Sequence, residues 1–297
     1  MRMNQVASAN TQPNSATEIA FEFVRALANE LSAGRVDLPS FPEVAIRVRR
    51  VLADEKSNLE KVVRVVGSEP ALAARLLRIA NSASLNTLGR QITDLRTAIN
   101  RMGYNMVRSA SMSFAMAQIR NNNKLAGVKP YLDELWERST LVAAIAFVLA
   151  RKCTRINADE AMLTGMMHGI GKLYVLTRVA DHPELFDSTA TVNRIIDEWH
   201  AQIGRAILEN WEFAEEMVAA VGDQDDVDRE GPESADLSDV IAVANLMASF
   251  ATDDEGLQVA CAGRASIARL GLDHEKMTAI MKDTAVEVAA LRSALGG

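Results

Sequence analysis

Cysteine is almost missing from this chain: Cys153 and Cys261 are the only two in 297 residues. Two distant thiols make neither a disulfide framework nor a cysteine-based zinc site, and they fit a reduced compartment. Aromatic residues make up 5% of the chain, so stacking partners for nucleic-acid bases are scarce. Seven prolines and 16 glycines leave long stretches uninterrupted, which favours long helices with short connections. No apolar run reaches the roughly 20 residues that span a bilayer. The start, Met1 to Ala16, is rich in Asn, Ser, Gln and Thr and has no apolar signal core. It reads as a disordered lead, and the protein as soluble and cytoplasmic with no membrane contact.

What remains is dominated by Ala, Leu, Val and Met, with 48% hydrophobic residues, enough for a substantial core of packed helices. The net charge of −7 hides an asymmetry. Residues 1–120 hold 16 Lys and Arg against 10 Asp and Glu, a balance of +6, and the remainder holds 16 against 29, a balance of −13. The arginines of the basic part are scattered over several predicted helices, which suits a solvated face better than a nucleic-acid groove.

Apolar spacing predicts helices throughout and no convincing period of two. Ile19, Phe23, Leu27 and Leu31 mark a helix over Thr17 to Leu31. Pro42 suits the first turn of the next one. Asn58 or Ser57 can cap a short helix ended by Gly67, and Pro70 opens a helix running to Ser82. Thr93 is placed to cap Asp94 to Met102, with Gly103 as its stop and a separate helix from Asn105 to Arg120. Asn121 to Lys124 reads as a linker. Later helices are expected over Pro130–Lys152, Ala158–His168 with Asn157 as cap, Thr191–Glu209, Phe213–Val221 and three segments after Leu237. Gly222 to Asp236 is strongly acidic and reads as an exposed loop. The expected organisation is a lead (1–16), a first helical part (17–124), a second (125–250) and a C-terminal helical extension (251–297).

Several segments, in order, resemble the HDOD domain, a bacterial output domain related to the HD metal-dependent phosphohydrolases. They are Leu38-Pro39-Ser40-Phe41-Pro42-Glu43-Val44, then Glu69-Pro70-Ala71-Leu72-Ala73-Ala74-Arg75-Leu76-Leu77-Arg78-Ile79-Ala80-Asn81-Ser82-Ala83, then Ile92 to Ile99 with Met102-Gly103. Gly165-Met166-Met167-His168-Gly169-Ile170-Gly171-Lys172-Leu173 and Glu198-Trp199-His200-Ala201-Gln202-Ile203-Gly204, with Trp211, continue the series. The resemblance implies an all-α, multi-helix HD-like bundle preceded by an additional helical subdomain. Read for their local chemistry, Pro70, Asn81, Gly103 and Gly204 need only structural roles as a helix start, a backbone bond, a helix exit and a close helix approach.

In catalytic HD relatives the resemblance implies a metal site built from an early His, a His-Asp doublet, further His residues and a late Asp. Here Arg138 stands at the first His, and a guanidinium, which stays protonated, is no ligand. The doublet is His168-Gly169, whose glycine has no oxygen to offer. His200 matches a histidine of the more elaborate relatives, Gly222-Asp223-Gln224 replaces its pair, and Asn245 stands at the late Asp. At most His168 and His200 are left as ligands, fewer than the three a catalytic site usually needs. His182 and His274 read as surface positions. Lys172 is able to neutralise an acid or a phosphate, although a solvated helix end explains it as well.

The expected function is therefore a non-catalytic signalling or scaffold role, with no cofactor or metal. The resemblance implies a signalling protein partner in a cyclic-dinucleotide or two-component pathway. No receiver, cyclase or kinase motif is present, so the signal is expected from a separate partner. The final helices are free to pack back or to form a homodimer face, and Met277 and Met281 suit either. A second class of function is a nucleotide or nucleic-acid binder using Arg75, Arg78 and Arg108, with nucleic acid the less expected ligand. A third is a metal-dependent phosphohydrolase with atypical ligands.

Overall fold

The four-residue spacing of Phe23, Leu27 and Leu31 becomes α1, Ser15–Ser32, in a computed structural model. The structure describes residues 15–295 apart from 35, 37, 39, 40, 55, 83, 84, 87, 88, 90, 183, 184 and 186–188. Most of the expected lead, and part of the Leu38 to Val44 segment, lie outside the described residues. Among the described residues there is no strand, and no helix is long and apolar enough to cross a membrane.

Five helices build the first part: α1, α2 (Glu43–Ala53), α3 (Leu59–Gly67), α4 (Pro70–Ala80) and α5 (Leu95–Arg120). Pro42 is the N-cap of α2 with extended backbone, one position earlier than expected. Asn58 caps α3 by accepting from Lys61 N–H at 3.0 Å. Asp94, not Thr93, caps α5, accepting from Thr97 N–H at 2.8 Å, because a carboxylate takes that orphan donor well. The two helices expected on either side of Gly103 are both present and meet at a kink within α5. Gly103 has φ 74° and ψ 163°, left-handed space that a side chain disfavours. Asn81 works as the sequence suggests. Its amide donates to Leu77 O at 2.9 Å and Ile92 O at 2.8 Å, and its oxygen accepts from Ile92 N–H, tying the segment after α4 back to its end.

A 3-10 turn, Asn123–Val128, takes up the second half of the expected linker and leads into α6 (Lys129–Cys153). Then follow α7 (Ala158–Met167), capped by Asn157, α8 (Ile170–Val179), α9 (Thr189–Asn210), α10 (Glu215–Gly222), α11 (Leu237–Ser249), α12 (Asp254–Cys261), α13 (Ala265–Arg269) and α14 (His274–Leu295).

Two apolar cores result. The smaller gathers Val48, Val62, Val66, Leu72, Leu76 and Ile99 from α2 to α5, all fully enclosed. Each such side chain contributes about 1.5–3 kcal/mol through burial. The larger is centred on α6 to α11. The boundary between them does not fall at residue 124. Phe23 and Leu27 of α1 join the larger core, and α5 serves both, giving Ile99 and Phe114 to one and Met112, Met116 and Ile119 to the other. Glu30 fixes α1 there by accepting from the Tyr174 hydroxyl and from Arg178, the latter at 2.7 Å. The C-terminal helices pack back. Met277 and Ile280 are buried in the larger core, Met281 lies against it, and Asp283 and Glu287 pair with Lys152 and Arg151.

Candidate functional site

Close backbone approach assembles the site. A Cβ added to Gly165 would lie 2.8 Å from Ala143 Cα, so α7 is pressed against α6. A Cβ on Gly171 would lie 1.9 Å from the carbonyl oxygen of His200, so α8 crosses α9 with no room for a methyl. Gly204 faces Val221 in the same packing, as its expected role in helix approach requires. These contacts bring together Arg138 on α6, His168 and Gly169 between α7 and α8, Lys172 on α8, His200 on α9 and Asn245 on α11.

His168 is fully buried. Its Nδ1 lies 2.6 Å from Gly165 O, and a carbonyl only accepts, so Nδ1 carries the proton. Nε2 is then a bare acceptor, and it is buried with no partner. Burial first, and the nearby Lys172 and Arg138 charges next, push the imidazole down to about 3 against the opposing Gly165 bond. His168 is neutral at pH 7.

A polar chain runs beside it. Arg138 Nη2 donates to Asn245 Oδ1 at 2.7 Å, Asn245 O at 3.0 Å and Ser249 Oγ at 2.9 Å. Asn245 Nδ2 donates in turn to Asp225 Oδ1 at 3.0 Å and Gln224 O at 3.2 Å. The other Asp225 oxygen lies 3.1 Å from His200 Nε2. An amide suits this middle position because it shows oxygen to a cation and N–H to an anion. A carboxylate at 245 would face Asp225 with like charge. Burial opposes the ionised form of Asp225, but the His200 bond and the Lys172 charge outweigh it and hold the carboxyl below its usual range.

Lys172 is not the solvated helix end that the sequence allows. It is half-buried beside Arg138 and Asp225, and burial followed by the Arg138 charge lowers its pKa. The acidic loop is also only partly the exposed loop expected. Most of its carboxylates face water, yet Gln224 is fully buried and donates to His168 O at 3.0 Å and Val221 O at 2.8 Å. Asp225 is the functional residue that sequence reasoning missed. Gln224, a neutral amide set between acidic neighbours, was the available sign that the chain turns inward there.

Gly169 has an ordinary φ of −83°, but its surroundings are filled. An added Cβ would lie 2.7 Å from Leu135 Cδ1 and 3.0 Å from Ser139 Oγ. Among the described residues no three His, Cys, Asp or Glu side chains are grouped to hold a metal ion. His182 is half-buried with its ring edge-on to Phe23, 5.9 Å between centroids, so it is not a plain surface residue.

The basic candidates lie elsewhere. Arg75 and Arg78 sit on α4 and Arg108 on α5, elements that carry none of the His168 cluster. Arg78 is exposed, but Arg49 and Arg75 are buried, at 6% and 5% exposure, so the scattered arginines are not all a solvated face. Burial lowers the pKa of Arg108, and Glu160 offsets part of that.

The helical architecture places the protein among the HD-like all-α folds. The HDOD domain profile matches residues 38–227, nearly two thirds of the chain, and the chain belongs to the HDOD domain family, which is related to the HD phosphohydrolases. It is similar to a candidate metal-dependent phosphohydrolase from Shewanella amazonensis SB2B, with 27% identity, TM-score 0.66, and coverage of 90% of this chain and 99% of that one. An HDOD domain protein of unknown function from Geobacter sulfurreducens shares the fold at 20% identity and TM-score 0.62, covering 96% and 99%. A candidate signal transduction protein from Marinobacter aquaeolei VT8 does so at 21% and 0.63, covering 97% and 67%. A curated uncharacterized protein from Treponema pallidum (strain Nichols) is 20% identical over 231 residues. Those residues are 72% of this chain but 42% of that protein, so the chain spans less than half of its length.

Proposed function

We propose that this protein is a non-catalytic signal-transduction or scaffold protein that works through contacts with a signalling partner. Membership of the HDOD family and likeness to the Marinobacter protein support the signalling class. The observation that carries the non-catalytic part is the Arg138–Asn245 pair, at 2.7 Å. A permanent cation stands among the residues that would have to hold a divalent ion, and Asn245 is committed to it. Lys172 adds a second positive charge nearby. The donor set does not fit a catalytic metal. His168 Nε2 is a free nitrogen donor, but Gly169 supplies no oxygen and Asp225 is already shared by Asn245 and His200. Arg138 takes over the cross-link between α6 and α11 that a shared ion would otherwise make. The partner proposed here belongs to a cyclic-dinucleotide or two-component pathway, and the site of action is cytoplasmic.

The second reading, a phosphohydrolase with atypical ligands, draws on likeness to the Shewanella protein. Elemental analysis for Mn, Fe, Ni and Zn separates the two, before and after incubation with each ion, beside hydrolysis assays on nucleotides and cyclic dinucleotides. Substoichiometric metal throughout and no turnover are expected. A stoichiometric ion that His168→Ala removes, together with turnover, would sink the non-catalytic reading.

A further inference from the structure

Among the described residues Arg75 is a buried cation left unanswered. Its side chain is 5% exposed, and both Nε and Nη2 are buried without a hydrogen-bond partner. These two atoms form the edge of the guanidinium that presents parallel N–H bonds to a carboxylate or phosphate. No described carboxylate pairs with it, and the charges that act on it, Arg78 and Arg120, are both positive. The Phe114 ring lies 5.9 Å from the guanidinium carbon. A cation–π contact at that distance does little against the cost of an unpaired buried cation. Arg120 carries the same signature in part. Its Nε is buried without a hydrogen bond, 3.7 Å from Asp133, and its guanidinium stacks 5.0 Å over Trp136. Arg78, one turn after Arg75 on α4, is exposed and brings a third charge.

We propose that the Nε–Nη2 edge of Arg75, flanked by Arg78 and Arg120, is an oxyanion site for a phosphate group. Arg78 and Arg120 add like charge at Arg75, and Asp133, 3.7 Å from Arg120, is the carboxylate found beside one of the three, a balance that favours a dianion over a monocarboxylate. The fork geometry favours paired acceptor oxygens over a halide. The site lies on α4 and α5 and rests on nothing in the His168 cluster, so its failure and that of the scaffold reading are separable.

The test is thermal unfolding and titration calorimetry of the whole chain in inorganic phosphate, against sodium chloride of equal ionic strength. Phosphate is expected to raise the wild-type Tm by about 2 °C or more and to leave Arg75→Gln unmoved. No rise above the chloride control, or an equal rise in Arg75→Gln, overturns the assignment. Should Arg75→Gln fail to fold, Arg78→Gln, at an exposed position, decides. It is expected to weaken phosphate binding about threefold, and unchanged affinity counts against the site. A nucleoside monophosphate in place of phosphate identifies the source. Tighter binding than phosphate means that a nucleotide carries the group, and weaker binding means the free ion; both keep the site.

Discussion

Arg138 and Arg75 are both withdrawn from water, and they are handled in opposite ways. One nitrogen of Arg138 meets three oxygens, and Asn245 passes that interaction on to Asp225 and so to His200. The Nε–Nη2 edge of Arg75 meets none. The first arrangement is closed, with each charge answered inside the chain. The second is open, because its countercharge must come from outside. The lesson is that a buried arginine indicates a ligand only when its donors lack acceptors.

The comparison breaks first at the helix crossing beneath the closed cluster. Gly171→Ala forces a methyl against the His200 carbonyl, which no rotamer relieves, and is expected to cost about 3 kcal/mol in urea unfolding. A loss below about 1 kcal/mol would mean that α8 and α9 separate readily and that the cluster is looser than its distances imply. Next comes Arg138→Met, which leaves Asn245 and Asp225 without their cation. Because Arg138 keeps partial exposure, about 2 kcal/mol is expected. The equivalent Arg75→Met without phosphate should be near neutral or stabilising, since it removes an unanswered charge. Equal losses at the two sites would erase the distinction.

A separate effect is on pH dependence. His168 binds its proton near 6.5 when unfolded but only near 3 when folded. The unfolded chain therefore takes up more protons as pH falls from 6.5 toward 3, and stability drops over that window. The slope is up to about 1.4 kcal/mol per pH unit. His168→Gln should flatten it between pH 6 and 4, and an unchanged slope would assign the loss to other groups.

The fold was legible because helix stripes and caps are local. Phe23, Leu27, Asn58, Pro70 and Asn157 each announce a boundary or a buried face within a few residues. Gly103 was legible as the break between two helices, because glycine is the residue that takes the positive φ found there. The site was half legible. Arg138, His168, Gly169, His200 and Asn245 follow from order along the chain, and the structure brings them together. Asp225 did not follow, because its role depends on Gln224 turning the loop inward through a bond to His168, 56 positions away in sequence. The burial of Lys172 and Arg75 was not legible for the same reason, as burial of a long cationic side chain is decided by distant helices.

The kinked α5 links the two halves mechanically. One stretch of backbone lends Phe114 to the small core and Met112 and Met116 to the large one, and Phe114 is also the ring beside Arg75. Neither core can loosen without moving backbone that the other is using. An anion seated on α4 would therefore stiffen a beam whose far side lies in the HD-like bundle, and occupancy in one half would be felt as rigidity in the other.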